Sequence, residues 1–315
     1  MEKTDSIFVA GARGLVGGAI VRRLAKDGYS QVLGPSRAEV DLSDRPAVDA
    51  FFARTRPAYV FLAAAKVGGI MANATYPADF LTSNLSIQLN VIDAAYRFHA
   101  KKLLFLGSSC IYPKLCPQPI KEEYLLTGAL EPTNAPYAIA KIAGIEMILS
   151  YRRQFGFNGV SLMPTNLYGP GDNYDLQNSH VLPALMRRFH TAKLENAPSV
   201  TVWGTGSPKR EFMHVDDLAD ACVTLMNSYD SEELLNVGVG EDVTIKELAH
   251  LIADTVGYKG EILFDPSKPD GTPRKLLDVS RVNAVGWRAK IGLKEGVAAT
   301  YRSFLTEHPE WATAA

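Results

Sequence analysis

A short apolar run, Ser6-Ile7-Phe8-Val9-Ala10, leads straight into Gly11-Ala12-Arg13-Gly14-Leu15-Val16-Gly17, and the amphipathic stretch Ala19-Ile20-Val21-Arg22-Arg23-Leu24-Ala25 follows, ending near Gly28. Buried strand, glycine turn and helix in immediate succession constrain the fold more than any other feature of the chain. Gly11 permits a tight turn, Gly14 opens the backbone to a close approach, and Gly17 lets the helix pack on a sheet. The spacing is Gly-x-x-Gly-x-x-Gly rather than Gly-x-Gly-x-x-Gly. With both flanks in place the unit reads as a dinucleotide site, its pyrophosphate on the helix N-terminus and Ala12, Arg13, Leu15 and Val16 lining the turn.

Three further strands follow, Gln31-Val32-Leu33-Gly34, Tyr59-Val60-Phe61-Leu62-Ala63 and Lys102-Leu103-Leu104-Phe105-Leu106, separated by helical segments. Alternation of this kind gives an α/β fold, a Rossmann-type doubly wound parallel sheet, with ligands bound beyond the strand C-termini. Ala64-Ala65-Lys66 and Gly107-Ser108-Ser109-Cys110 fall at such ends. An acidic residue closing the second strand would suit the ribose of NAD. Here Ser36 and Arg37 stand there instead, with Arg13 in the glycine turn, a set that suits a 2′-phosphate and so NADP(H). The alternative is that both arginines are solvated surface residues. Asp41 either meets the adenine edge or caps a helix starting near Ser43.

Tyr137 and Lys141 stand four apart in Ala135-Pro136-Tyr137-Ala138-Ile139-Ala140-Lys141. On a helix they share one face, and an ammonium beside a phenol lowers its pKa from about 10. A phenol so tuned donates a proton to a carbonyl oxygen as hydride reaches the carbon. Ser108 offers a hydroxyl to the same oxygen, and Cys110 places a thiol two residues on.

The 315 residues suffice for two lobes, and 47% hydrophobic with 21% charged residues is ordinary for a soluble globular chain. A net charge of -1 gives no basis for binding nucleic acid or an anionic membrane. There is neither a membrane-length apolar run nor an apolar leader, and Cys110, Cys116 and Cys222 form no disulfide framework. A cytoplasmic protein with free thiols is expected, with no metal site and a fraying tail at 311–315. The helix from about 84 to 99 carries two apolar faces, Leu85, Leu89, Ile92, Tyr96 and Ile87, Val91, Ala94, Phe98. A surface helix needs one stripe. The second is covered by a partner helix, giving the expected homodimer, or by another part of the chain.

The glycine turn, Ser108 and Tyr137-x-x-x-Lys141 resemble the extended short-chain dehydrogenase/reductase family, which acts largely on nucleotide sugars. Asn166-Leu167-Tyr168-Gly169-Pro170-Gly171 and Arg210-Glu211-Phe212-Met213-His214-Val215-Asp216-Asp217 resemble two further signatures of that family. Four segments resemble those of its members that invert C3 and C5 of GDP-4-keto-6-deoxy-D-mannose and reduce C4 with NADPH. They are Ala64-Ala65-Lys66-Val67-Gly68-Gly69-Ile70, Gly107-Ser108-Ser109-Cys110-Ile111-Tyr112-Pro113-Lys114, Asn178-Ser179-His180-Val181 and Pro269-Asp270-Gly271-Thr272-Pro273-Arg274-Lys275. The resemblance implies Ser108, Tyr137 and Lys141 as the reductase group, Cys110 as the base and His180 as the acid of epimerisation. Without it, Cys110 reads as a small buried hydrophobe and His180 as a polar loop residue.

The same resemblance implies that Leu106, Gly107, Ser109, Lys141, Pro164, Thr165, Asn166, Leu167 and His180 border the cofactor. It places Arg188 and Arg210 at the diphosphate with Lys275 near them, Trp203 against the nucleotide, and Asp270 at a sugar hydroxyl or guanine. Trp203 alone reads as a core aromatic. The cofactor domain is expected over 1–170 plus about 213–239, because Asp217-Leu218-Ala219-Asp220-Ala221-Cys222-Val223 and Leu234-Leu235-Asn236-Val237-Gly238 return a helix and a strand to the platform. A smaller α/β substrate lobe takes about 171–212 plus 240–315. A dehydratase of the family uses threonine with Asp-Glu near the serine position, and Ser108-Ser109-Cys110 lacks that acid. A simple 4-epimerase needs neither Cys110 nor His180, and a non-catalytic nucleotide sensor does not need Ser108, Tyr137 and Lys141 together.

Overall fold

The computed structural model describes residues 1–176, 179–268 and 270–311, and only the backbone of Ile70. Asn178 and Pro269, quoted above, and tail residues 312–315 lie outside the described residues. In chain order the strands are β1 Ile7–Ala10, β2 Val32–Leu33, β3 Tyr59–Leu62, β4 Lys102–Leu106, β5 Gly159–Pro164, β6 Asn166–Tyr168, β7 Ser199–Trp203, β8 Lys209–Arg210, β9 Phe212–His214, β10 Leu235–Val237, β11 Val243–Thr244, β12 Glu261–Asp265 and β13 Arg274–Lys275. The helices are α1 Leu15–Lys26, α2 Arg45–Thr55, α3 Ile70–Thr75, α4 Pro77–Arg97, α5 Ala135–Phe155, α6 Val181–Leu194, α7 Val215–Ser228, α8 Ile245–Val256, α9 Ser280–Ala284 and α10 Leu293–Glu307.

Six strands form one parallel sheet in the order β10-β5-β4-β3-β1-β2. The order reverses beside β1, so the loops after β1 and β3 part there and leave a crevice at the strand C-termini. Residues of β1 alternate between two cores: Ile7 and Val9 join α1 and α7 on one face, Phe8 and Ala10 join α2, α4 and α5 on the other. A strand buried on both faces must be apolar throughout, which is why the run needed no polar alternation. The expected return to the platform occurs, since β10 pairs with β5 and α7 packs against α1. Cys222 on α7 is fully buried and its thiol is pushed up by burial.

A third core, built on Tyr168, Leu182, Met186, Phe189, Leu248, Ile252 and Phe304, joins α6, α8 and α10. The parallel pair β7–β12 and the three-stranded sheet β11-β8-β13 lie in this second half of the chain.

The helix expected near 84–99 is longer, Pro77–Arg97, because Pro77 and Asp79 form a favourable first turn before the apolar pattern begins. Both of its apolar faces are largely covered from within: Val91, Ile92 and Ala94 are buried against α2 and α5, and only Leu89 stays half-exposed, at 49%. Gln88 donates to Ala140 O, and a Cβ at Gly144 would lie 2.5 Å from the Phe105 ring, so α5 sits close on both α4 and the sheet. That contact fixes the face from which Tyr137 and Lys141 project.

Candidate active site

Lys141 is buried, and its ammonium donates to Leu106 O at 2.8 Å, at the end of β4. It lies 4.9 Å from the Phe105 ring centroid and 5.9 Å from that of Tyr137. Desolvation pushes it down to about 8. The expectation that it lowers the phenol is not met: burial pushes Tyr137 up, the nearby Cys110 thiolate adds to the rise, and Ser108 alone opposes it. The lysine reaches past the phenol to the carbonyl, so the two share a face without sharing a charge. Phe80 meets the Tyr137 ring edge-on at 6.4 Å.

Beyond β4, a Cβ at Gly107 would lie 2.4 Å from Met163 Sδ, so only glycine lets the chain turn beneath Ser108. Ser108 precedes the 3-10 turn Ser109–Ile111, and its hydroxyl accepts from the Cys110 N–H at 3.2 Å. The Ser108 hydroxyl favours the ionised forms of both Tyr137 and Cys110. Serine, phenol and thiol thus form one group at the sheet's C-terminal edge.

Lys275, expected near a diphosphate, has its Nζ 3.4 Å from Cys110 Sγ. Burial opposes a thiolate, but the Lys275 charge and hydrogen bonds from Ser108 and Lys275 outweigh it, so Cys110 sits below the ordinary thiol value. Cys116, also near Lys275, is pushed the other way by burial. His180, the N-cap residue of α6, is held below the ordinary imidazole value by desolvation and then by the Lys275 charge. The residue as a whole keeps an open side to solvent, yet enough protein crowds the ring to disfavour imidazolium. Lys275 pairs in register with Arg210 across β13 and β8. Desolvation weakens the Arg210 charge preference, opposed by Asp270.

The glycine turn shows which residues the fold itself demands. A Cβ on Gly17 would lie 2.0 Å from Gly11 O, and one on Gly11, at φ +85°, 2.9 Å from the Ala64 backbone. Gly14 is different: a Cβ there would meet only Gly11 O, at an ordinary 3.5 Å. The fold could hold a side chain at this exposed N-cap, where α1 has no side-chain cap. A bare helix N-terminus without structural need for its glycine fits a pyrophosphate. A Cβ at Gly34 would lie 2.6 Å from Ala12 Cβ, so the end of β2 reaches the same turn.

Ser36 and Arg13 meet through Glu39, a carboxylate the sequence did not single out, and Arg37 lies beside Asp41. Glu39 accepts from the Ser36 N–H and hydroxyl, both at 2.7 Å, and lies 3.6 Å from Arg13; Asp41 lies 3.4 Å from Arg37. Exposed pairs of this kind add little to stability and yield readily to a phosphate dianion. The helix-cap alternative for Asp41 fails: the N-cap of α2 is Asp44, and Asp41 Oδ1 instead accepts from the Ser43 N–H and hydroxyl. Leu106 and Ser109 are buried, as is Thr165 beyond Pro164 at the end of β5. Asn166 donates to Glu211 O at 2.8 Å, and Leu167 is half-buried on β6.

Trp203 is no core aromatic. It is 54% exposed at the end of β7, with the Arg188 guanidinium and Lys268 ammonium each 5.8 Å from its ring centroid. Asp270 accepts from the Thr205 N–H at 2.7 Å and hydroxyl at 2.8 Å, which closes the loop after Trp203. Lys268 and Glu211 carry no signal in the sequence that assigns them a place. Among the described residues no cluster of His, Cys, Asp and Glu suits a metal ion.

The model of the NAD dependent epimerase/dehydratase family matches residues 7–238. Over 305 residues, 97% of this chain and 93% of its own length, the putative GDP-L-fucose synthase 2 of Arabidopsis thaliana is 60% identical. The GDP-L-fucose synthase of Escherichia coli (strain K12) is 56% identical over 308 residues, covering 95% of this chain and 96% of that protein. A GDP-mannoheptose C4 reductase from Campylobacter jejuni, solved with NADP bound, superposes with a TM-score of 0.90 at 39% identity, over 96% of this chain and 99% of that one.

Proposed function

We propose that this chain, which belongs to the NAD dependent epimerase/dehydratase family, is a GDP-L-fucose synthase that inverts C3 and C5 of GDP-4-keto-6-deoxy-D-mannose and then reduces C4 to give GDP-L-fucose. It is an NADPH-dependent enzyme. The observation that carries the reading is the Cys110 thiol, 3.4 Å from the Lys275 ammonium and beside Ser108 and Tyr137. A reductase alone needs the phenol, serine and lysine; an ionised thiol next to them supplies a base for the acidic protons flanking a C4 ketone.

At each of the two carbons in turn the Cys110 thiolate takes the proton and His180 gives one from the opposite face; between the two inversions the thiol passes its proton to solvent and His180 takes one up. The enolate that develops at the C4 oxygen is stabilised by hydrogen bonds from Ser108 and Tyr137. The Cys110 thiolate raises Tyr137, so the phenol keeps its proton while the base is ionised, ready to donate it to the C4 oxygen. NADPH supplies the hydride to C4. Gly11 to Gly17 hold its pyrophosphate, with Ser36, Arg13 and Arg37 at the 2′-phosphate and Asp41 at the adenine edge. Leu106, Gly107, Ser109 and Pro164 to Leu167 form the wall around the nicotinamide, and Lys141 holds its ribose.

The substrate lobe takes 171–212 and 240–315. Trp203 offers its open face to guanine, Arg188 and Arg210 bind the diphosphate, and Asp270 stays beside the nucleotide through its loop. Incubation with GDP-4-keto-6-deoxy-D-mannose and NADPH tests the whole reading: GDP-L-fucose forms as NADPH is consumed, and no consumption contradicts it. Three free thiols support a cytoplasmic location. The half-exposed Leu89, Ile139 and Phe155 on α4 and α5 support a homodimer through that face. Light scattering then gives a two-subunit mass, and a monomer contradicts it.

A further inference from the structure

Glu211 is fully buried, and its carboxylate accepts three backbone N–H bonds. Oε1 takes those of Val239 at 2.6 Å and Gly240 at 2.8 Å; Oε2 takes that of Leu277 at 3.1 Å. A Cβ at Gly238 would lie 2.2 Å from Oε1, so that glycine makes room for the carboxylate. Leu277 lies two residues past Lys275. The residue between, Leu276, donates its N–H to Gln118 Oε1 at 2.9 Å, on the loop that follows Cys110. On the other side, Lys275 is in register with Arg210, the neighbour of Glu211 in sequence.

A lysine has a long, freely rotating stem, so a 3.4 Å contact with a thiol persists only where its strand is fixed. Among the described residues β13, two residues long, has one neighbouring strand, β8, and past its end Leu277 forms a parallel bridge with Ile120. The bond from Leu277 ties it to the C-terminal edge of the main sheet. We propose that Glu211 is a positioning residue for epimerisation: by clamping the end of β13 between β9 and the loop after β10, it holds the Lys275 ammonium against Cys110. This rests on Cys110 being the base. The charged and titratable groups acting on that thiol are Lys275, which favours its thiolate, and Tyr137, with His180 facing the same ammonium.

Glu211→Gln keeps the shape but replaces one acceptor by a donor, so it cannot serve both the Val239–Gly240 pair and the Leu277 N–H. The test is the pH profile of Cys110 alkylation by iodoacetamide in the full chain, read by mass on the Cys110 peptide, alongside solvent-deuterium entry at C3 and C5. The midpoint is expected to rise by about one pH unit and exchange on its acid side to fall roughly tenfold. Hydride transfer to C4 of substrate already inverted at both carbons stays within about twofold. An unmoved midpoint, or exchange and hydride transfer lost in parallel, overturns the proposal. If that variant does not fold, Gln118→Ala loosens Leu276 and is read by the same rise in midpoint. The alkylation profile needs no substrate, so the clamp stands or falls separately from the identity of the base.

Discussion

Lys275 Nζ lies 3.4 Å from Cys110 Sγ, across 165 positions of sequence, and it is the cation that holds a desolvated thiol below its ordinary value. Burial alone would raise the thiol, as it does at Cys116 and Cys222. Cys110 departs from both because an ammonium touches it. Lys275→Met removes that charge, so the pH at which Cys110 becomes half alkylated moves up. The direction follows from the lowered thiol: in the native protein the base persists below the ordinary thiol range and is lost as pH falls through its depressed value. For every pH unit that the midpoint rises, the thiolate present on its acid side falls about tenfold. An unchanged alkylation profile contradicts this role for Lys275.

Tyr137→Phe removes the proton donor at the C4 oxygen. C4 reduction falls by about 10²- to 10⁴-fold. Solvent-deuterium entry at C3 falls less, because Ser108 still donates to the enolate oxygen. Single-turnover absorbance of NADPH measures the first and mass spectrometry the second; a variant that reduces C4 at the native rate excludes Tyr137 as the acid.

Arg37→Ala tests the 2′-phosphate site. Its present partner, Asp41, is 3.4 Å away and both side chains are open to water, so little holds the guanidinium back. A charged hydrogen bond is worth about 1.5–3 kcal/mol, or roughly ten- to a hundredfold in NADPH affinity. NADH affinity stays within about twofold, and equal weakening of both contradicts the assignment.

Lys102 begins β4, at the end of the sheet away from the site. Its ammonium donates to Leu225 O at 3.1 Å, Met226 O at 2.8 Å and Tyr229 O, closing the C-terminus of α7. Lys102→Met removes the donor to Met226 O and Tyr229 O, while Leu225 O keeps the Tyr229 N–H, and destabilises the fold by about 1–3 kcal/mol. Thermal unfolding shows a lower midpoint with native turnover per folded molecule; an unchanged midpoint contradicts the capping role.

The platform was legible because its signals are local. The β1–α1 turn, the apolar strands and the Tyr137–Lys141 spacing each declare themselves within about ten residues. Ser108 and Cys110 were legible as candidates for the same reason. What joins distant segments was not. The contact of Lys275 with Cys110, the clamp at Glu211 and the approach of Glu39 to Arg13 depend on segments meeting from far apart. Trp203 was placed against a nucleotide only by resemblance, since alone it reads as a core aromatic, and the packing leaves its face open. The Tyr137–Lys141 pair was read correctly as a shared helix face, but its electrostatics were misjudged. Spacing gives direction, while the carbonyl of Leu106 decides where the ammonium goes.

The central claim is that Cys110 is the base, and Cys110→Ser with solvent deuterium at C3 and C5 tests it most directly. A serine hydroxyl in that place is not ionised near neutral pH, so deuterium entry falls by about 10²-fold or more while C4 is still reduced. The product is then a 4-reduced sugar with C3 and C5 unaltered. Deuterium entering both carbons at the native rate would show that another group removes these protons.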